Sequence, residues 1–343
     1  MSSKRRRLSV ASFGVFVFVI SFLAFTHFYR VGSPWFHEDF SLDRFHGAYG
    51  WDFALVFNAA KVMRSGQLSF VEYPPLTMLS YMPLTFLDQM LAYRLFTAAI
   101  VAALFLMLFF SLAESRVVSD GNAAVLAAIL TAALYHSYWF QFELHQGNSN
   151  TVAVGLSAAG LYFLGREKTW LAVVFLALAA QWRVYPALLG VFLLSRVGLK
   201  TFLGWISLNV GLLLVLGPRH LMNFLRLLIY WQNQEINQPV SHSLLSTAAR
   251  DGFSHMAATA AGAACLLVFA ALFCAYWLVS RRASVPGRPA HRGRLTLAEV
   301  ALVGVACQVM DLIPSYSLDY KLSLHALSLI LLLTRPAEDF EAS

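Results

Sequence analysis

Long apolar segments recur along the whole chain, and they constrain the fold more than any other feature of the sequence. Of the 343 residues, 59% are hydrophobic and only 13% are charged. This composition excludes a soluble domain and is typical of proteins that cross a membrane many times. Because most apolar runs approach the roughly 20 residues that a membrane helix needs, we predict an all-α polytopic membrane protein with residues 1–343 in one transmembrane domain.

Basic residues cluster beside apolar segments, at residues 4–7 and in a loop of residues 281–296. We therefore attribute the formal charge of +7 to the positive-inside pattern and to contacts with anionic membrane lipids, not to nucleic acid. The apolar run of residues 8–28 is too long for a signal peptide core, so we expect a retained first helix. These features predict a cytoplasmic amino terminus and a cytoplasmic loop at residues 281–296.

A polar stretch, residues 29–75, follows the first predicted helix, and we place it at the outer face, periplasmic or lumenal. Within it, apolar residues recur at helical spacing over residues 53–64, which predicts an amphipathic helix in the interface. Two prolines then hold the chain extended at Tyr73-Pro74-Pro75. Residues 76–87 come next; they are too short to cross comfortably and contain a further proline.

The rest of the chain alternates between apolar segments and polar turns, which gives roughly ten crossings in all. A second outer loop is predicted over residues 218–254. The later crossings are expected at residues 92–112, 123–140 and 151–165, in two segments that end near residues 181 and 196, at residues 201–217, 255–280 and 297–313, and in a last segment that ends at residue 334.

A competing count makes residues 76–87 a full span and fuses the two segments that meet near residue 183. Charge bias does not separate the two counts. We prefer the first for a chemical reason, because it places Asp52, Gln146, Asn148, Arg183 and residues 315–321 on the same face.

Arg183 lies near the end of an apolar helix, where an arginine that faced lipid at mid-membrane would cost about 2.5–3.5 kcal/mol. It either reaches the headgroups by snorkelling or faces a polar cavity. The neighbouring Trp182 and Tyr185-Pro186 favour the cavity, because they put a planar cation and aromatic groups where the helix breaks. A guanidinium with five donors suits a phosphate or diphosphate.

Asp52 stands just before the amphipathic helix, in a stretch where nothing nearby in sequence neutralises it. It could serve as a first-turn acid favoured by the helix dipole, as a catalytic acid or base, or as both. Gln146 and Asn148 stand at the outer start of the next predicted helix. They could cap that helix, or their side-chain amides could hold sugar hydroxyls.

No cofactor is predicted. The loop residues His37, Glu38, Asp39, Asp43 and His46 match no tight metal-binding spacing, so a divalent metal is conceivable but unsupported. The sequence contains no phosphate-binding loop, dinucleotide-binding fingerprint, nucleophile elbow or zinc-binding helix motif.

Taken together, these motifs resemble those of the GT-C class of lipid-linked glycosyltransferases. The similarity is to the catalytic subunit of glycosylphosphatidylinositol mannosyltransferase I, and to bacterial mannosyltransferases like those of glycosyltransferase family 87. It is carried by Trp51-Asp52-Phe53 with Ala59-Ala60 and Gly66, by Tyr73-Pro74-Pro75-Leu76, by Gln146-Gly147-Asn148 and by Arg183-Val184-Tyr185-Pro186. Two positions depart from the pattern: Gly50 replaces the first acid of a DxD pair, and Arg183 replaces a lysine.

The resemblance implies a GT-C-like bundle and a sugar, mannose first among the candidates, carried on a polyprenyl phosphate at the outer leaflet. Asp52 would be the general base toward a glycolipid or glycan acceptor. Arg183, helped by Arg94, would bind the donor phosphate. The implied contacts to substrate are Tyr73, Gln146, Asn148, Tyr185, Asn237 and Ser241, with Tyr316, Asp319 and Tyr320 on the opposite wall.

Three other functions compete with this one. A transporter or flippase of lipid-linked saccharides would also have broken helices and buried charges, although the sequence shows no internal repeat. A noncatalytic membrane partner subunit would not need Asp52. A polysaccharide polymerase or ligase would need a larger outer loop than this chain has.

Overall fold

The computed structural model describes residues 50–114, 118–135, 137–232, 254–283, 294–312 and 322–333. In this described part of the chain the regular structure is entirely helical, which confirms the all-α fold class there. The helices are α1 (Trp51–Arg64), α2 (Pro75–Tyr81), α3 (Gln89–Glu114), α4 (Asp120–Tyr135), α5 (Tyr138–Gln146), α6 (Asn150–Gly165), α7 (Thr169–Trp182), α8 (Val191–Arg196), α9 (Leu199–Leu213), α10 (Pro218–Gln232), α11 (His255–Ala283), α12 (Leu297–Leu312) and α13 (Leu322–Leu333). Short 3₁₀ segments at Met82–Phe86 and Tyr185–Gly190 follow α2 and precede α8.

Helices α3, α6 and α7 form the centre of the bundle, because small residues let their backbones approach closely. A Cβ atom on Gly155 of α6 would lie 2.9 Å from the carbonyl oxygen of Ala103 in α3. On the other side of α6, a Cβ atom on Gly160 would lie 2.6 Å from Cγ of Leu176 in α7. A larger side chain at Gly155 would force α6 away from the backbone of α3, and one at Gly160 would require the Leu176 side chain to move.

Two of the described helices are long and apolar enough to cross a membrane alone, over Gln89–Ala113 in α3 and Thr259–Ser280 in α11. The first is 72% buried and the second only 17%, so α3 is central and α11 is peripheral. The pairs α4/α5 and α9/α10 also qualify if each is one span bent by 76° and 99° respectively. The chain thus has the helices of an integral membrane protein, whereas ten crossings remain a prediction.

Helix α1 agrees with the amphipathic helix predicted from sequence. Its face made of Phe53, Val56, Phe57, Ala60 and Met63 is buried, as the 3.6-residue spacing requires. The helix ends at Arg64, and Gly66 follows with a φ of 83°. The chain then turns into α2, which begins at a proline that needs no amide partner there.

Two segments differ from the sequence-based expectation. Helix α4 ends at Tyr135, whereas one helix was expected to continue to residue 140, and α5 follows as a separate helix bent by 76° from α4. The segment predicted as the second outer loop begins with helix α10, an amphipathic helix that was not predicted because polar residues interrupt its apolar ones. Its Phe224 is buried, and Asn223 Nδ2 donates a 2.8 Å hydrogen bond to the carbonyl of Ser69. As the preferred count expects, the helix breaks between α7 and α8, while the number of crossings that these two helices make stays a prediction.

At one end of the bundle a buried polar network joins the turns between helices. The guanidinium of Arg196 donates to both carboxylate oxygens of Glu299, at 2.7 and 2.6 Å, and both side chains are buried. Nearby in the same network, Arg196 also bonds the carbonyl of Arg294, and the amide of Leu295 donates to Glu114 at 2.6 Å. The candidate site described below lies at the opposite ends of these helices.

Candidate functional site

Four segments meet at one end of the bundle, and each is a helix end or the turn beside one. They are the first turn of α1, the extended stretch before α2, the turn between α5 and α6, and the break after α7. Helix ends leave backbone and side-chain polar groups that the helix itself does not satisfy. Their convergence therefore creates a polar site inside an otherwise apolar bundle.

The centre of this site is a row of three side chains. Asn148 Nδ2 donates a 2.6 Å hydrogen bond to Oδ2 of Asp52. On its other side, Oδ1 of Asn148 accepts a 2.6 Å hydrogen bond from Nη2 of Arg183. Only this orientation of the amide satisfies both neighbours, since a carboxylate only accepts and a guanidinium only donates. We call Asp52, Asn148 and Arg183 the polar row.

Arg183 takes its place because α7 stops just before it. Its backbone is extended, and Pro186, three residues later, cannot supply an amide proton to continue the helix. The hydroxyl of Thr77 in α2 donates to the carbonyls of Gln181 at 2.6 Å and Trp182 at 3.1 Å, so it satisfies acceptors at the end of α7. The guanidinium lies over the ring of Tyr73, with Cζ 4.5 Å from the ring centroid.

Asp52 is brought to this row by contacts that the start of α1 and the helix α3 make with the end of α5. The amide of Gly50 donates to the carbonyl of His145 at 2.7 Å, and the hydroxyl of Tyr93 donates to Leu144 at 2.6 Å. Gly147 has a φ of 65°, and a Cβ atom there would lie 2.6 Å from Cβ of Phe53. Glycine at position 147 thus lets the α5–α6 turn pack directly on the start of α1.

The electrostatics of the site favour protonation of its acids. Burial raises the pKa of Asp52, which is the largest effect, while the hydrogen bond from Asn148 and the charge of Arg183 oppose it. Burial also raises the pKa of Glu72, which lies in the field of both Arg183 and Asp52. The pKa of Tyr73 is raised to about 12, again chiefly by burial. A carboxylate with a raised pKa is a stronger base than a free aspartate.

The other residues nominated from sequence divide into three groups. Tyr185 lies close by, and its hydroxyl donates to Oδ1 of Asn150. Gln146 is buried beside the turn but makes no side-chain hydrogen bond within the described residues, and Nε of Arg94 is buried without a partner there. The positions outside the described residues are Asn237, Ser241, Tyr316, Asp319 and Tyr320.

Sequence reasoning missed two residues that hold the site together. Glu143 is fully buried, and its carboxylate accepts hydrogen bonds from the amide and the hydroxyl of Thr151, both at 2.6 Å. Asn150, also buried, accepts from Tyr185. The signal that could have revealed Glu143 is an acid in an apolar stretch just before a glycine turn, since such an acid must find a partner.

No group of three histidine, cysteine or acidic side chains that could hold a metal ion occurs in the part of the chain that the structure describes. The histidine- and acid-containing loop at residues 37–46, considered above for its ligand spacing, lies outside that part.

The described helices that are long enough to cross a membrane, together with the polar site at one end of the bundle, identify this protein as an integral membrane protein. Residues 70–307, more than half of the chain, match the family model of glycosyltransferase family 87. The chain belongs to this family and is a membrane glycosyltransferase. Neither a curated protein nor a solved structure matches it. Tyr73, Asn148 and Arg183 lie inside the matched range, and Asp52 lies before it.

Proposed function

We propose that this glycosyltransferase moves a sugar, most simply mannose, from a polyprenyl-phosphate donor to a glycolipid or glycan acceptor. In this proposal Asp52 is the general base and Arg183 binds the donor phosphate. The observation that carries it is the polar row, in which one amide separates a basic carboxylate from an anion-binding guanidinium.

The row brings the proposed base and the proposed phosphate-binding group within reach of one sugar. Two 2.6 Å hydrogen bonds and one amide group separate Oδ2 of Asp52 from Nη2 of Arg183. From standard bond lengths the two atoms are therefore at most about 8 Å apart. We propose a single displacement with inversion, in which the acceptor hydroxyl beside Asp52 attacks the anomeric carbon as the phosphate bound by Arg183 leaves.

The proposed step balances without a cofactor. Asp52 accepts the proton of the acceptor hydroxyl as the hydroxyl oxygen forms a bond to the anomeric carbon. The bond from that carbon to the phosphate oxygen breaks, and its electron pair leaves with the lipid phosphate. Arg183 donates hydrogen bonds to the phosphate as its charge grows, and Asn148 keeps the base and the guanidinium apart but aligned.

A lipid-linked donor fits the surroundings of the row. Arg183 and Tyr73 present a planar cation stacked on an aromatic ring, an arrangement suited to the phosphodiester of the donor and to the lipid phosphate monoester that leaves. We assign Arg94 to the same phosphate. Contacts to the donor or acceptor are assigned to Gln146, Tyr185, Asn237, Ser241, Tyr316, Asp319 and Tyr320.

We further propose that the site faces the periplasm or lumen, that the amino terminus is cytoplasmic and that the chain crosses the membrane about ten times. The GT-C-like bundle would then be one domain over residues 1–343, with the outer catalytic loop at residues 29–75 and a cytoplasmic basic loop at residues 281–296. Arg294 of the basic loop lies at the end of the bundle opposite the polar row, where its carbonyl accepts a hydrogen bond from Arg196, and this position supports the orientation through the positive-inside rule.

The test is transfer of mannose from a short-chain polyprenyl phosphate by the purified full-length protein, compared between wild type, Arg183→Ala and Arg64→Ala. Arg64 is the matched control, because its Cζ lies 4.6 Å from the ring centroid of Phe86 but it takes no part in the row. We expect Arg183→Ala to lose at least about 100-fold in kcat/KM, as for a lost charge-assisted contact, and Arg64→Ala to stay near wild type.

Failure of the wild-type protein to transfer any polyprenyl-phosphate sugar would contradict the proposed donor. The hypotheses of a transporter or a noncatalytic partner subunit would then be favoured. Uptake of a labelled lipid-linked saccharide into vesicles would test the transporter hypothesis.

A further inference from the structure

Glu143 holds both ends of the turn that carries Asn148. Glu143 lies three positions before Gln146, the last residue of α5, and its carbonyl accepts the amide of Asn148 at 3.0 Å, while the amide of Gly147 donates to the carbonyl of Leu144 at 3.1 Å. These two bonds form a Schellman motif closed by the left-handed glycine. The backbone of Glu143 therefore fixes where the turn begins.

The side chain of the same residue fixes where the turn ends. Helix α6 has Ser149 at its N-cap position, yet Ser149 makes no capping hydrogen bond. The carboxylate of Glu143 takes over that role, because it accepts the amide and the hydroxyl of Thr151 at 2.6 Å each. A carboxylate at a helix N-terminus is favoured by the free amides and by the helix dipole.

The turn between these two anchors is short and carries the groups that meet the site. Asn148 bridges Asp52 and Arg183, and Asn150 accepts from Tyr185. Neither Asn148 nor Asn150 has more than 2% of its surface exposed. If the turn shifted, water could therefore not replace the hydrogen bonds that these two side chains would lose. The orientation of the Asn148 amide thus depends on how Glu143 holds the backbone on either side of it.

We propose that Glu143 is a positioning residue: it clamps the turn from Gly147 to Asn150 and so sets the Asn148 amide that aligns Asp52 with Arg183. This inference rests on the proposed function for its kinetic consequences, but the clamp itself does not. Glu143 does not touch the reacting atoms.

The test uses the purified full-length protein with Glu143→Ala, Glu143→Gln, Asn148→Ala and the double variant Glu143→Ala with Asn148→Ala. A glutamine can accept the Thr151 amide and donate to the Thr151 hydroxyl, so it keeps the clamp and removes the charge. We expect Glu143→Gln to stay within about threefold of wild type and Glu143→Ala to lose about 10–100-fold, mainly in kcat.

The double variant separates positioning through Asn148 from an independent effect. If Glu143 acts through Asn148, the double variant is no slower than Asn148→Ala alone, because the side-chain amide that Glu143 positions is already absent. If the two losses multiply, or if Glu143→Ala keeps a wild-type kcat, the proposal is overturned. A loss in Glu143→Gln as large as in Glu143→Ala would overturn the clamp in favour of a role for the charge.

Glu114 provides the control for a merely structural role. It is a buried carboxylate that likewise accepts a backbone amide at 2.6 Å, from Leu295, but it lies at the other end of the bundle. We expect Glu114→Ala to lower the melting temperature without changing kcat per folded molecule. An equal fall of kcat in Glu114→Ala and Glu143→Ala would overturn the assignment.

Two further measurements keep the proposal testable if a variant misfolds or if the wild type transfers no sugar. Thr151→Val removes one of the two carboxylate contacts, and we expect a loss of about 3–10-fold that is also not additive with Asn148→Ala. The rate of amide hydrogen exchange over residues 147–152 measures how firmly Glu143 holds the turn, and it needs no substrate. Faster exchange there in Glu143→Ala or Thr151→Val, and not in Glu114→Ala, supports the clamp; unchanged exchange overturns it, whatever the transfer assay shows.

Discussion

A single side-chain amide joins the carboxylate of Asp52 to the guanidinium of Arg183. The amide belongs to Asn148, which donates to one neighbour and accepts from the other, at 2.6 Å each. This indirect link uses only Oδ2 of Asp52, and in the mechanism that we propose Oδ1 would accept the proton of the acceptor hydroxyl. A neutral amide between the two charges also lowers the pKa of the carboxyl less than a direct ion pair with the guanidinium would.

The first prediction concerns the pH dependence of transfer. Because Asp52 must be deprotonated to act as a base, kcat/KM should rise with pH through the pKa of this carboxyl in the free enzyme. Burial raises that pKa from its ordinary value of 3.8, so the acidic limb should lie above pH 3.8. The measurement is kcat/KM from pH 3.5 to 8, with the melting temperature followed over the same range.

Asn148→Ala should move the same limb further upward, because the hydrogen bond from Asn148 lowers the pKa of Asp52. Asn122→Ala, an exposed asparagine at the start of α4, serves as the control. A limb that stays in place in Asn148→Ala would show that Asp52 is not the titrating base.

The second prediction concerns Gly147. Alanine there combines a left-handed backbone with a Cβ atom 2.6 Å from Cβ of Phe53, so we expect a loss of about 2–5 kcal/mol in the free energy of unfolding. Gly66→Ala is the matched control, because Gly66 has a φ of 83° but no atom within 4 Å of an added Cβ. It should lose only about 1 kcal/mol. Thermal unfolding of the two variants checks this, and equal losses would mean that the close packing of α1 on the α5–α6 turn is not what matters.

The helical class and the amphipathic α1 were predictable because they depend on local patterns. Apolar spacing reads directly from residues 53–64, and the break after α7 follows from Pro186. Helix α10 also has a local amphipathic pattern, but it was not predicted because its polar residues suggested a loop. Helix α5 is too short for its pattern to stand out between two apolar runs.

The site could be predicted only as separate candidates. Asp52, Asn148 and Arg183 were each singled out from their own surroundings, but 96 and 35 residues separate the partners of the two hydrogen bonds. Nothing local in the sequence encodes that these helix ends converge, or that Asn148 stands between the other two. Glu143 was not predicted as a site residue, because its role depends on how the end of α5 and the start of α6 are placed relative to each other.

The measurement that tests the central claim most directly is donor affinity and transfer rate of Asp52→Asn in one preparation, with Asp88→Asn as the control. Asp88 is an exposed acid that bonds the backbone amides at the start of α3 and lies outside the row. The folded-state pKa of Asp52 is raised, so the stability that its protonated form contributes at low pH is lost as pH rises through that pKa. Asparagine removes this loss, and Asp52→Asn should therefore melt no lower than wild type at pH 7.

We predict that Asp52→Asn binds a short-chain polyprenyl-phosphate mannose within about threefold of the wild-type affinity but transfers mannose at least about 1,000-fold more slowly, within the range for loss of a general base. Asp88→Asn should match wild type in both. Wild-type turnover by a folded Asp52→Asn protein would contradict the assignment of Asp52 as the base.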